Sequence, residues 1–419
     1  MSAEGAQNGD ASEQPATRLI AWWRTHASSV LRLSVRAMTA VAAGWLTYQF
    51  WRLLFQTGEW GAIDLLYLQT GTRSWFAGDP VYPAYPFATY PPASYALLWP
   101  LIGWMGPVAV RWFWAATTLA CLAWLIRIVL RASGATRAID RRFIAMLPLA
   151  MYATGAAIGN GQLTNHILPC LISALLLLRN EGRSLQKDLL GSALFVFALV
   201  KPSVTAPFFG IALFAVGRIR PAILIGSGYL ALTLLASWFQ PEGPITLMLQ
   251  WQATAHEAMY TAPVFTNSSG NLHSLFHSLD IDDWLTAASL GLLGTLLAWI
   301  ASHRRGDLWG MMSVCAFASL FHTYHGWYDD SLLLIPMIAL YRIATEADER
   351  PVLRAAGGAL MAATLLSTLA PGGEHLFSSP LRDVYISGQV SVWLCVLAFL
   401  MRHVAVTHRA TSRRALSVT

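Results

Sequence analysis

Apolar runs of roughly 16 to 25 residues, each near the length a bilayer core requires, recur from residue 37 to residue 402. That rhythm dictates a polytopic helical membrane protein, because a segment inside lipid must satisfy its own backbone polar groups. Composition agrees: only 12% of residues are charged and 55% are hydrophobic, whereas charged residues usually reach about a quarter of a soluble domain. A formal charge of +6 would point to nucleic acid in a soluble chain. Here the arginines sit in short loops between apolar runs, the positive-inside pattern of a membrane topology, so no nucleic-acid partner is expected. Cys121, Cys170, Cys315 and Cys395 lie inside apolar runs without CxxC spacing, which leaves neither a disulfide frame nor a zinc site.

Arginine parity orders the segments. No cleavable signal peptide is apparent. Residues 1–36 read as a cytoplasmic tail, polar and disordered at first, then an amphipathic surface helix carrying Arg18, Arg24, Arg32 and Arg36. One transmembrane domain follows over 37–403, and a basic cytoplasmic tail over 404–419. The first span, Met38 to Gln56, leads outward into a loop over 57–107 that is too polar and too rich in proline and aromatics to be another span.

Within that loop, residues 91–107 are apolar, but the next span, Val108 to Leu130, ends in Arg127, Arg131, Arg137, Arg141 and Arg142. That cluster belongs inside. Only an odd number of crossings fits before it, so 91–107 is read as a juxtamembrane helix on or in the outer leaflet. Counting on makes GNGQLTN (159–165) an outer turn and breaks the run from Leu189 to Val216 at Lys201-Pro202-Ser203. It also gives a second outer loop at 240–283 and an outer motif HTYHGWYDD at 322–330. The total is about 12 spans with both termini cytoplasmic, and no soluble domain or clear internal repeat.

The parity sorts residue types. Arginine clusters fall inside, while Asp64, Asn160, Gln162, Asn165, Lys201, Asn267, Asn271, His322, His325, Asp329 and Asp330 fall on outer turns. Polar side chains near membrane depth are costly and are kept where a protein-lined cavity uses them. Each also has a plainer reading. Asp64 is a natural N-cap for a helix over Leu65 to Ala77, Lys201 a side chain that snorkels to a headgroup, and the aromatics of 75–104 an interfacial belt. His322 and His325 lack any HExxH or cysteine partner, so no metal site is expected. Asn267-Ser268-Ser269 has the form of a glycosylation sequon.

One outer carboxylate, a lysine at a helix break, amide-bearing turns and an aromatic groove suit transfer of a sugar from a lipid-phosphate donor. Asp64 would take the acceptor hydroxyl's proton as that oxygen attacks the anomeric carbon. The leaving group is already a phosphate and needs cationic and hydrogen-bond stabilisation, available from Lys201, Arg73 or a histidine. A single base with direct attack implies inversion, unlike the carboxylate pair of a retaining hydrolase.

The order Asp64, Tyr67, Gly78, Tyr82, then Tyr90-Pro91-Pro92 with Leu97 to Leu101, resembles the first outer loop of glycosyltransferase family 87. So do GNGQLTN before the span ending in Arg179, Ala198-Leu199-Val200-Lys201-Pro202, Asn267-Ser268 to Leu275, and the histidine motif before Tyr328. The resemblance covers about residues 40 to 345 and is carried by the order and spacing of motifs that are weak singly. It implies an all-α GT-C fold and a polyprenyl-phosphate sugar donor, with mannose the family's usual sugar. It further implies a lipid or glycan acceptor and a cofactor-free, metal-independent, inverting transfer on the outer face of the cell membrane. On that basis Asp64 is the expected base, His322 or His325 a catalytic partner, and Tyr67, Arg73, Tyr82, Tyr90, Asn160, Gln162, Asn165, Lys201, Asn267, Asn271 and Tyr328 line the substrate. Two departures stand: Gln162-Leu163-Thr164-Asn165 is wider than the family's usual Gln-x-Asn, and no long carboxy-terminal extension is present.

Two other classes share this composition, a secondary transporter or lipid flippase and a non-catalytic envelope-assembly partner. Polar residues gathered on one face, the missing repeat and the elaborate first loop weigh against transport.

Overall fold

A computed structural model describes residues 10–58, 61–82, 84–85, 88–179, 184–261, 281–322 and 325–416. Among these there is no strand; the only β pairing is a single bridge between Met151 and Leu369. In chain order the helices are α1 (Asp10–Phe55), α2 (Ile63–Ala77), α3 (Pro92–Leu98), α4 (Pro107–Ala132), α5 (Ala138–Ala150) and α6 (Tyr152–Asn160). There follow α7 (Thr164–Arg179), α8 (Leu185–Ala198), α9 (Pro202–Thr205), α10 (Arg220–Ser237) and α11 (Pro244–Thr261). The last are α12 (Leu285–Ser302), α13 (Leu308–His322), α14 (Leu334–Thr345), α15 (Pro351–Thr368) and α16 (Leu381–Leu416), with one further helical turn at Gly373–Leu376 between α15 and α16.

Among the described residues, four helices are long and apolar enough to cross a bilayer: α4, α10, α12 and the Leu381–Thr407 part of α16. A fifth joins them if α6 and α7, bent by 119° at their junction, count as one broken span. The chain is therefore a multi-pass, all-helical membrane protein. Its centre is built from α7, α13 and α14, whose side chains are buried on nearly every face. Leu230 and Leu234 on α10, Leu290 on α12 and Leu394 on α16 point outward, as expected of helices whose solvent is lipid.

The structure departs from the sequence reading at three places. The expected surface helix and first span are one helix, α1, of 46 residues. No proline or glycine falls between residues 16 and 43 to break it, so α1 runs continuously from Asp10. The second outer loop contains an 18-residue helix, α11, whose inner face docks on the first loop through Trp251 Nε1 to the Thr89 carbonyl (2.8 Å) and Thr254 Oγ1 to the Tyr82 carbonyl (3.4 Å). The expected span over Phe143 to Ile158 is interrupted at Met151, whose extended backbone separates α5 from α6.

Other expectations have direct counterparts. Residues 92–103 form the short helix α3 followed by a π-helical turn. At 1.5 Å per residue that is about 18 Å, too little to cross a hydrocarbon core of about 30 Å. The run from Leu189 to Val216 breaks at Leu199–Lys201, where Pro202 has no N–H to continue α8. Backbone carbonyls released there are met locally: Thr205 Oγ1 donates to Ala198 and Lys201, and Ser94 of α3 donates to Val200 (2.7 Å). A broken helix inside a membrane protein is tolerable when its carbonyls are satisfied in this way.

Candidate active site

Five chain segments end at one place: α1, the start of α2, the α6–α7 turn, the break before α9, and the residues leading into α14. Asp64 is the second residue of α2, half-buried. It is not the cap. The N-cap is Ala62, and no side chain caps this helix. Ala62 is fully buried with φ 53° and ψ 33°, a left-handed conformation that costs a non-glycine residue about 1–2 kcal/mol.

Neighbouring contacts hold Ala62 in that conformation. Its N–H donates to the Gly159 carbonyl (3.0 Å). Gly61 is pressed so closely on the Gln56 carbonyl that an added Cβ would lie 2.1 Å from the oxygen. From the far side Arg111 of α4 donates to the carbonyls of Gln56 (2.7 Å), Leu53 (3.2 Å) and Gly61 (3.0 Å). A buried arginine thus clamps the connection that delivers Asp64.

The α6–α7 turn approaches just as closely. Gly161 has φ 72°, and a Cβ there would fall 2.5 Å from that of Leu65, so only glycine lets the turn lie against α2. That contact brings the side-chain amides of Gln162 and Asn160 beside the Asp64 carboxylate. Tyr90 donates to Gln162 Oε1 (3.5 Å), and Tyr82 donates to the Tyr90 carbonyl (2.9 Å). Tyr82 itself is buried edge-on to Trp75. Burial raises the Asp64 carboxyl to about 6; the Gln162 and Asn160 hydrogen bonds and the Lys201 charge oppose the rise, and the Asp329 charge adds to it.

Lys201 stands at the helix break as expected, and its partner is Asp329. Nζ lies 2.7 and 2.8 Å from the two carboxylate oxygens and 4.6 Å above the Tyr328 ring. Asp329 also accepts from Thr164 (2.7 Å) and the Gly326 amide (3.2 Å). Next to it Asp330 faces away, towards His325 Nε2 (3.3 Å) and the Tyr152 hydroxyl, which in turn accepts from Gln389 of α16 (3.0 Å). His325 therefore belongs to a buried network that adjoins the Asp329–Lys201 pair through the chain. His322, at the end of α13, directs Nδ1 to the Ala318 carbonyl (2.9 Å), which leaves the acceptor lone pair of a neutral ring on Nε2.

The remaining expected residues have other surroundings. Arg73 donates to the carbonyls of Gly103 (2.9 Å) and Met105 (2.8 Å), closing the end of the π-helical turn. Asn165 is buried and donates to Thr154 (3.1 Å), tying α7 to α6. Tyr67 is exposed on α2. Asn267 and Asn271 lie outside the described residues.

Sequence reasoning passed over Arg52, Arg111, Thr164 and Tyr152, and left Asp329 and Asp330 without roles. A usable signal existed for the arginines: Arg52 and Arg111 lie at the ends of their apolar runs opposite the arginine clusters, against the expected segregation of positive charge.

The model of glycosyltransferase family 87 matches residues 88–323, more than half of the chain. The match takes in Asn160, Gln162, Lys201 and His322; Asp64 precedes it, and His325 and Asp329 follow it. No curated protein and no solved structure matches this chain.

Proposed function

Since the chain belongs to glycosyltransferase family 87 and is a membrane glycosyltransferase, we propose that Asp64 is the base of an inverting transfer from a polyprenyl-phosphate sugar, mannose in the first instance. The acceptor is a lipid or glycan hydroxyl at the outer face of the cell membrane, and the fold is of GT-C type with about twelve crossings, broken helices included. The observation that supports this best is the meeting of Asp64, Asn160, Gln162 and the Lys201–Asp329 pair at the ends of separate helices.

In this reading the acceptor oxygen attacks the anomeric carbon while its proton passes to the Asp64 carboxylate. The bond from that carbon to the phosphate oxygen breaks, and polyprenyl phosphate leaves with the electron pair. A carboxyl raised to about 6 is ionised at neutral pH and still basic enough to accept the proton, the compromise a general base requires. The Gln162 and Asn160 amides beside Asp64 favour its charged form, and a carboxylate has lone pairs free for the acceptor hydroxyl as well. Lys201 uses two of its three N–H bonds on Asp329, so it offers the leaving phosphate one donor and its charge. The aromatic residues Tyr82 and Tyr90 brace Gln162.

Incubation of the purified protein with a panel of polyprenyl-phosphate sugars, scored by release of polyprenyl phosphate, tests the reading. Release should occur with a hexosyl donor and acceptor, persist in excess chelator, and vanish in Asp64→Asn while donor binding remains. Normal transfer by Asp64→Asn would sink it.

A further inference from the structure

The peptide group between Gly61 and Ala62 is held at both of its polar ends. Its carbonyl, on Gly61, accepts from Arg111 Nη2 (3.0 Å), and its N–H, on Ala62, donates to the Gly159 carbonyl (3.0 Å). The next peptide group already belongs to α2, because the Ala62 carbonyl accepts from the Leu66 N–H (3.0 Å). Two rotations alone separate the pinned group from the helix, φ and ψ of Ala62, at 53° and 33°. Asp64 lies in the first turn beyond them.

Arg111 reaches this group from α4 and is only 9% exposed. Its other terminal nitrogen, Nη1, donates to the carbonyls of Leu53 (3.2 Å) and Gln56 (2.7 Å) at the end of α1. A cation at a helix C-terminus is favourable in its own right, and Nη1 accounts for that cap. The bond to Gly61 is additional. It ties the end of α1 to the start of α2 through one planar guanidinium, whose nitrogens keep a fixed spacing. The arginine stands at the end of α4 opposite Arg127 and Arg131, and a charge within a membrane helix is costly enough to mark a function.

We propose that Arg111 is a positioning residue for Asp64: by holding the Gly61–Ala62 peptide plane it keeps Ala62 left-handed and so fixes the direction in which α2 leaves. The proposal rests on Asp64 being the base. It acts through the backbone and asks nothing of the contacts around the carboxylate. An alanine freed of that grip prefers the right-handed or extended regions by about tenfold. Either would swing α2, and Asp64 with it, away from the α6–α7 turn.

Arg111→Lys is the test, because one ammonium keeps the charge at the end of α1 but has no second nitrogen for Gly61. In the assay of polyprenyl phosphate release, kcat should fall about tenfold with the donor KM kept. Glycine takes a left-handed conformation without strain, so Ala62→Gly should change kcat little alone and cut the Arg111→Lys loss to about threefold. Hydrogen exchange in Arg111→Lys should rise in a peptide covering residues 61–66 and stay unchanged over α7.

Wild-type kcat in Arg111→Lys overturns the proposal. So does a loss that Ala62→Gly leaves undiminished, which would make the arginine a cap of α1 alone, or a raised donor KM with kcat kept, which would make it a donor ligand. Exchange that rises across α4 and α7 instead of at 61–66 overturns it as well, so a variant too unstable to assay still gives an answer. The base reading fails separately, through an active Asp64→Asn, and that result leaves the exchange pattern of Arg111→Lys untouched.

Discussion

With its carboxyl raised to about 6, Asp64 is protonated below that pH and ionised above it. Sugar transfer should therefore fall as pH drops through about 6 and level off above it, a profile readable from initial rates. The same shift acts on stability with the opposite consequence. The folded state holds this proton up to about 6, while the unfolded carboxyl releases it near 3.8. Ionised Asp64 thus costs the fold stability that is fully lost above pH 6 and regained below pH 4, at most about 3 kcal/mol at 1.36 kcal/mol per unit. Asp64→Asn should accordingly raise the melting temperature at pH 7.5 and leave it nearly unchanged at pH 4, even as it abolishes turnover. Lys201 carries the reverse risk. Its partner Asp329 has almost no exposure, and Lys201→Ala would leave that carboxylate unpaired, a loss of about 3–5 kcal/mol. Adding Asp329→Leu should recover much of the stability in a thermal melt.

At the scale of elements, the α6–α7 turn has the least freedom. Gly161→Ala meets both a left-handed backbone and the Leu65 side chain, so it should push the turn off α2. Transfer should fall by at least tenfold through kcat, the cost of about 1.4 kcal/mol or more in positioning. How far the sequence revealed such elements depends on whether the determinant is local. Pro202 ends α8 by its own chemistry, so the break at Lys201 was readable, and Gly159-Asn160-Gly161 signals a turn by composition alone. Helix α11 was not readable, because its polar and apolar residues are mixed and its place is fixed by Trp251 and Thr254 reaching the first loop. Nor was the pairing of Lys201 with Asp329, 128 residues apart. Asp64 does stand at the head of a helix, as the sequence suggested, whereas its cap role did not survive, since Ala62 occupies that position.

For the molecule as a whole, the apolar runs told the class, while arginine parity assigns the segment ends to sides. Parity can be checked in intact cells: a cysteine at Thr57 should react with a membrane-impermeant maleimide, and one at Thr136 should react only after permeabilisation. Both positions are exposed, and the other outcome would reverse the side assigned to Asp64. In the proposed topology helix α1 links the two sides. Unbroken over 46 residues, it runs for about 69 Å at 1.5 Å per residue, more than twice the hydrocarbon thickness. Its two ends are consequently locked in phase: the azimuth at which Arg32 and Arg36 leave the helix determines the azimuth at which Gln49 and Arg52 meet the α6–α7 turn. One residue inserted between them would rotate one end against the other by about 100°, and seven would nearly restore it. The face this chain turns to the lipid at one surface is thereby not independent of how its site is aligned at the other.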